Sequence, residues 1–221
     1  MSLPQYQPIA LKRKPAAFSN PDYLFEVKWD GFRVHARIED GRCKLVSRNG
    51  NEFKSFASLA ESIAEELKGH SIVLDGEIVC LDDRGKPQFY DLLLRRGEPR
   101  LCSFDVLYID GEDLRYTSLI ERKQRLRALL PESDRLFYCD HIEQHGESLF
   151  AMACEHDLEG MVAKRKFDPY LPSVTWHKIR NAGYSQWAGR DELFERERET
   201  DPDMVLWDTC AAACGDADYE L

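Results

Sequence analysis

The run Lys28-Trp29-Asp30-Gly31-Phe32-Arg33 sets a lysine at the end of an apolar stretch, a tight Asp-Gly turn behind it and an arginine five residues on. A lysine in that place is either a solvated charge or a nucleophile, and this spacing alone does not choose between them. Four further polar groups interrupt apolar strands, where charge is costly unless it is partnered or used. Asp75-Gly76-Glu77 separates Ile72-Val73-Leu74 from Ile78-Val79, and Phe104-Asp105 lies within Leu101 to Tyr108. Glu159-Gly160 precedes Met161-Val162-Ala163-Lys164, and Trp176-His177-Lys178-Ile179-Arg180 alternates apolar and basic side chains. Together these groups supply carboxylates and cations that can converge on one pocket.

The elements that must position them are mostly short strands. Leu24 to Ile38 reads as two strands around the Asp30-Gly31 turn, and Arg33, His35 and Arg37 alternate with Val34, Ala36 and Ile38 at the period of a half-buried strand. Asp40-Gly41 is a hairpin signal, with Cys43 to Ser47 returning as a strand. Phe56, Leu59, Ala60, Ile63 and Leu67 recur at helical spacing, which predicts a helix over 56–68. Ile72 to Leu81 and Leu101 to Ile109 are strand-like. Ser118-Leu119-Ile120-Glu121 is a capping-box pattern opening a helix that Pro131 closes. A strand over 136–142, a helix over 147–156 and two late strands over 160–166 and 174–180 complete the chain, after an extended lead-in over residues 1–20. The expectation is an α+β fold with mainly antiparallel sheets flanked by helices.

Composition bounds the rest. The chain has 221 residues and 43% hydrophobic side chains, enough to build a core without staples. Seven cysteines without a C-x-x-C pair read as reduced thiols, which suits a cytosolic location. There is no long apolar run, so no membrane span is expected. The net charge is -10, but eleven acidic and only two basic residues lie from Asp191 onward. The body is thus nearly neutral and can still present a basic face to phosphates. The expected organisation is one catalytic domain over residues 1–185 and an acidic tail of short helices over 186–221.

The polar clusters, in their order along the chain, resemble those of the covalent nucleotidyltransferases, and among them the ATP-dependent DNA ligases. The K-x-D-G-x-R signature is met by Lys28, Asp30, Gly31 and Arg33, and an arginine-bearing turn by Ser47-Arg48-Asn49-Gly50. Asp75-Gly76-Glu77, Phe104-Asp105-Val106-Leu107-Tyr108 and Glu159-Gly160 with Lys164 match the next three elements. Lys178 and Arg180 stand where the last is usually K-x-K. The wording Glu26-Val27-Lys28-Trp29-Asp30-Gly31 is most similar to the ligase domain of bacterial end-joining enzymes. The resemblance covers about Tyr23 to Arg180.

It implies the nucleotidyltransferase fold, of the ATP-grasp-like kind found in ligase adenylation domains, with ATP and magnesium as cofactors and nicked or broken DNA as the partner, in a bacterial cytosol. It implies that Lys28 is the nucleophile, forming a phosphoramidate with AMP as pyrophosphate leaves. A free lysine has a pKa near 10.4, so neighbouring cations, a metal or partial burial must favour its neutral form. Arg33 and Arg48 would hold the ribose or phosphates, Glu77 the ribose, and Phe104 the adenine face. Glu26 would lie at the adenine edge through its backbone. Lys164, Lys178 and Arg180 would face the phosphates, and Glu159, with Glu77, the metal. His35, on the strand face of Arg33, and His177, beside Lys178, are weaker candidates for a base.

A full ligase of this kind continues into an OB-fold barrel. The 41 residues after Arg180 are too few for five strands, so the expectation is that the barrel is absent and that a protein partner supplies its function. Two other readings stand beside the ligase: an RNA ligase or capping-type nucleotidyltransferase, and a nucleotide- or DNA-binding module without turnover.

Overall fold

The computed structural model describes residues 3–188. Two sheets face each other, and the strand alternation seen in the sequence decides which side chains meet between them. The first sheet has the order β1 (Ala10–Arg13), β11 (Thr175–Arg180), β10 (Gly160–Arg165), β2 (Asn20–Val27) and β9 (His141–Gln144). The second has the order β4 (Arg42–Ser47), β3 (Phe32–Glu39), β5 (Ile72–Cys80), β6 (Pro99–Ile109) and β7 (Glu112–Asp113), with β8 (Leu136–Tyr138) also on β6. Pairing is antiparallel except at β1 with β11 and β6 with β8.

Helices cover the outer faces. In the second sheet, Phe32, Val34, Ala36 and Ile38 of β3 and Ile72, Leu74 and Ile78 of β5 form the main core. Leu59 and Ile63 of α1 (Ala57–Glu66), Phe89 and Leu92 of α2 (Phe89–Leu93) and Leu126 of α3 (Leu119–Leu129) complete it. Phe25, Met161, Ala163 and Ile179 of the first sheet pack instead with Leu149 of α4 (Gly146–Glu155). The opposite strand faces, which alternate with these, point into the space between the sheets. They carry Glu26, Arg33, His35, Asp75, Glu77, Lys164 and Trp176.

Several expectations need correction. The lead-in is partly strand, because Ala10–Arg13 pairs with β11 and buries Ile9. The two strands expected around Asp30-Gly31 are present as β2 and β3, but they do not pair with each other. The turn carries the chain from β2 in one sheet to β3 in the other, which is what puts the Lys28 loop where the sheets meet. The segment 136–142 is two strands, one in each sheet. Asp75-Gly76 does not break β5, which runs on through a register shift against β6. The Ser118 capping box is present, with Ser118 Oγ accepting from Glu121 N and Glu121 accepting from Ser118 N.

No helix among the described residues is long and apolar enough to cross a membrane. The expected tail helices lie outside the described residues from 189 onward. The chain just before them, where the sequence suggested a boundary at 185, forms a short 3-10 turn over Ser185–Trp187 that packs on the body. Gln186 in this turn is buried, accepting from Phe89 N and donating to Pro87 O.

Candidate active site

Lys28 follows the last residue of β2, and its backbone N–H extends the ladder by donating to Gly160 O at 2.9 Å. The loop then turns tightly at Gly31, where a Cβ would lie 1.9 Å from Ile78 O, so only glycine lets β3 come this close to β5. Gly160 has φ 140°, and a Cβ there would lie 2.1 Å from Ile179 O, so the adjacent Glu159 also depends on a glycine. These two glycines bring Lys28 and Glu159 together. Lys28 Nζ lies 2.6 Å from Glu159 Oε2, with the lysine side chain 16% exposed and the glutamate 2%. Asp30, also buried, accepts a hydrogen bond of 2.8 Å from the Tyr184 hydroxyl.

Lys28 stands at a cleft between the sheets, lined also by Glu26, Arg33, Glu77, Phe104 and Lys164. Trp29 and Trp176 add aromatic walls. Cross-strand register orders the floor. Glu26 pairs with Val162, and Val162 with Lys178, while Gly160 pairs with Arg180 beside the Lys28 end. Lys164 pairs with Leu24, four residues from Lys28, or roughly 13 Å of strand. It therefore occupies the far end of the cleft, where its Nζ sits 3.9 Å from the Trp176 ring centre and 4.3 Å from that of Phe104.

Buried charges around the cleft are matched. Arg33 Nε and Nη2 grip Asp75 at 3.1 and 2.7 Å, and Nη1 donates to Ile9 O at 2.7 Å. Burial opposes the Arg33 charge, but Asp75, together with Tyr170 and Glu77, raises the guanidinium pKa above its ordinary value. The Tyr170 hydroxyl donates to Asp75 at 2.6 Å and sits 3.2 Å from His35 Nε2. Burial holds the His35 pKa below its usual value. Glu26 is clamped by Lys123 at 2.6 Å and by Lys164 at 2.5 Å. Burial alone would raise the Glu26 carboxyl, yet the two ammonium groups hold it below the usual carboxylate range. Glu77 behaves in the opposite way. Burial pushes it up to about 8; Lys28 and Arg33 work against this, and the charges of Glu159 and Asp30 add to it.

The structure distributes the residues singled out from sequence unevenly. Lys28, Glu26, Arg33, Glu77, Phe104 and Lys164 line one cleft, with Glu159 on Lys28. Arg48 lies in the turn after β4 and does not line the cleft. Lys178 is buried on β11, and Arg180 packs over Trp187 at 5.0 Å; neither lines the cleft. Glu26 contributes a buried side chain, not its backbone alone. Sequence reasoning passed over Asp75, Lys123, Tyr170, Trp176 and Tyr184. Asp75 and Trp176 lay within the quoted clusters and carried a signal. Lys123 is hidden in a helix rich in charge, and Tyr170 and Tyr184 are in loops without pattern.

The comparisons with known proteins agree with one another. The family model described as ATP dependent DNA ligase domain matches residues 9–180. The chain is 37% identical over 168 residues to the multifunctional non-homologous end joining protein LigD of Pseudomonas aeruginosa, covering 72% of this chain and 20% of that protein. It is 30% identical over 189 residues to the SPbeta prophage-derived DNA ligase-like protein LigB of Bacillus subtilis, covering 81% of this chain and 68% of that one. Among solved structures, a mycobacterial DNA ligase D complexed with ATP and MES superposes with a TM-score of 0.70 at 29% identity, over 79% of this chain and 60% of that one. The chain spans about a fifth of the length of the end-joining relatives. With most of its length matched by the family model and its two-sheet fold shared with a ligase domain, the chain belongs to the ATP-dependent DNA ligase domain family.

Proposed function

We propose that this chain transfers AMP from ATP to Lys28 Nζ and then passes it to a 5′-phosphate of nicked or broken DNA. The observation that carries the reading is the 2.6 Å contact of Lys28 Nζ with Glu159 at the mouth of an aromatic-walled cleft. Attack needs the nitrogen lone pair, so the ammonium must first lose a proton, and Glu159 Oε2 is the acceptor within reach. The N–P bond then forms at the α-phosphorus as its bond to the β-phosphate oxygen breaks, and pyrophosphate departs. Phosphoryl transfer asks mainly for positioning and charge stabilisation, which the fixed Arg33 guanidinium supports from the side of the cleft.

Magnesium fits the same place. Among the described residues no group of three or more His, Cys, Asp or Glu forms a metal cage. Magnesium, however, is commonly held by one or two carboxylates plus substrate phosphates. Glu77 and Glu159 are such a pair, and the raised Glu77 carboxyl marks a place where added positive charge would be stabilising. When bound, the ion would neutralise charge developing on the departing phosphates. Residues Phe104 and Trp176 support an aromatic base in the cleft, and free thiols at the five described cysteines agree with a reducing cytosol. DNA is favoured over RNA because relatives at 30% identity or above are named as DNA ligases or end-joining proteins.

The intact mass of the purified protein, before and after ATP with magnesium, tests the first step. The expected result is a gain of one AMP, reversed by pyrophosphate and lost in Lys28→Ala. An adduct that persists in Lys28→Ala would refute the assignment. Discharge of the adduct by nicked DNA, with the chain alone and with candidate partners, then tests the transfer to DNA.

A further inference from the structure

We infer that Lys123 is a positioning residue for the nucleotide cleft: it holds Glu26, and through Glu26 the Lys164 ammonium, at the aromatic end. The inference rests on the reading of the cleft as a nucleotide site and adds a residue from an element that no ligase signature covers. Lys123 lies on α3, beside Arg122, which anchors the helix on Asp105 of β6. Its Nζ passes between the sheets to meet Glu26 Oε1 at 2.6 Å and donates also to Cys139 O at 2.7 Å. Lys123, Glu26 and Lys164 are 1, 2 and 2% exposed.

Two ammonium groups thus share one carboxylate out of water, which is an expensive arrangement unless it serves a purpose. A single lysine would neutralise Glu26. The second fixes which way the carboxylate faces, because Lys123 takes Oε1 from behind and leaves Oε2 for Lys164 at 2.5 Å. Lys164 in turn is paired on one side with Glu26 and has its Nζ over the rings of Trp176 and Phe104. A buried ammonium with donors to spare, aimed into a cleft between aromatic rings, suits a flat heterocycle with an acceptor on its edge. It stands four strand residues from Lys28, too far along the floor to serve the reacting phosphate. Loosening Lys123 should therefore weaken the hold on the base and leave the hold on the phosphates unchanged.

The test is equilibrium binding to the full chain in EDTA, where no transfer occurs, with ATP and with inorganic tripolyphosphate as probes. Lys123→Met is expected to weaken ATP binding by roughly tenfold, the scale of one hydrogen bond to a charged group, and to leave tripolyphosphate binding within about twofold. With magnesium, the same variant should raise KM for ATP in adduct formation while kcat changes little. Should Lys123→Met not fold, Glu26→Gln breaks the same clamp without removing an ammonium, and the same pattern is expected. ATP binding that is unchanged in a folded variant overturns the inference, as does equal weakening for ATP and tripolyphosphate. If the unaltered chain binds ATP but forms no adduct, the proposed transfer fails and the inference stands on the binding data. If it does not bind ATP at all, both fail.

Discussion

The reacting centre pairs a lysine that must lose a proton with two carboxylates in different states. Glu159 takes the Lys28 ammonium directly, while Glu77 is kept as an acid by burial up to about pH 8. Because its ordinary value is 4.5, Glu77 is ionised in the unfolded chain and protonated in the folded one between these two values. Folding takes up a proton in that window, so this group's effect is a loss of stability as pH rises from about 4.5 to about 8. Glu77→Gln cannot ionise, and its melting temperature should fall less than that of the unaltered chain over the window. Equal slopes for the two proteins would mean that Glu77 is ionised in the fold. At this scale much was legible. Lysine, carboxylates and an aromatic ring stood out because each interrupts an apolar pattern, and a strand-borne charge must have a partner. Arg48 entered by resemblance alone, as part of an arginine-bearing turn, and the structure places it in the turn after β4, outside the cleft lining.

Among the elements, α3 has the least obvious part. Its capping box was readable from Ser118 to Glu121, since that signal is local. Its inward cations were not. Arg122 and Lys123 sit in a run of charged residues that reads as solvent-exposed, yet both are buried, each paired with a buried carboxylate, Asp105 on β6 and Glu26 on β2. Removing one partner of such a pair strands the other charge out of water. Arg122→Met should lower stability by about 3 to 5 kcal/mol, read as a lower urea midpoint, and Arg122→Met with Asp105→Leu should recover most of it. A single-variant loss below about 1 kcal/mol would show that the pair does not hold α3 down. The strap after β11 has a comparable part: Tyr184 reaches Asp30, and Gln186 ties to the entry of α2, so the end of one sheet is fastened to the other beside the Lys28 loop. No periodicity announces it, because single side chains in a loop do this work.

For the whole molecule, charge is the lever on DNA. The residues from Asp191 onward carry eleven acids against two bases, and the rest is nearly neutral. A polyanionic segment competes with DNA phosphates for any basic face, and salt screens that competition. A chain ending at Arg190 should therefore bind nicked duplex roughly threefold or more tightly at about 50 mM salt, and the gain should vanish near 0.5 M. Fluorescence anisotropy across that range measures it, and a gain independent of salt would point away from charge. The amino-acid sequence by itself determined most of the strands, the alternating faces of the strand that carries Arg33, the capped helix and the order of the reactive groups, because periodicity, turn chemistry and capping act over a few neighbouring residues. Only the tertiary structure decided that β2 and β3 belong to different sheets, that Lys164 lies at the opposite end of the cleft from Lys28, and that Lys123 and Tyr184 reach the site at all. Those outcomes depend on strand pairing between distant segments and on side-chain contacts across 97 to 154 residues of chain, where register and the need to partner each buried charge settle what no local pattern encodes.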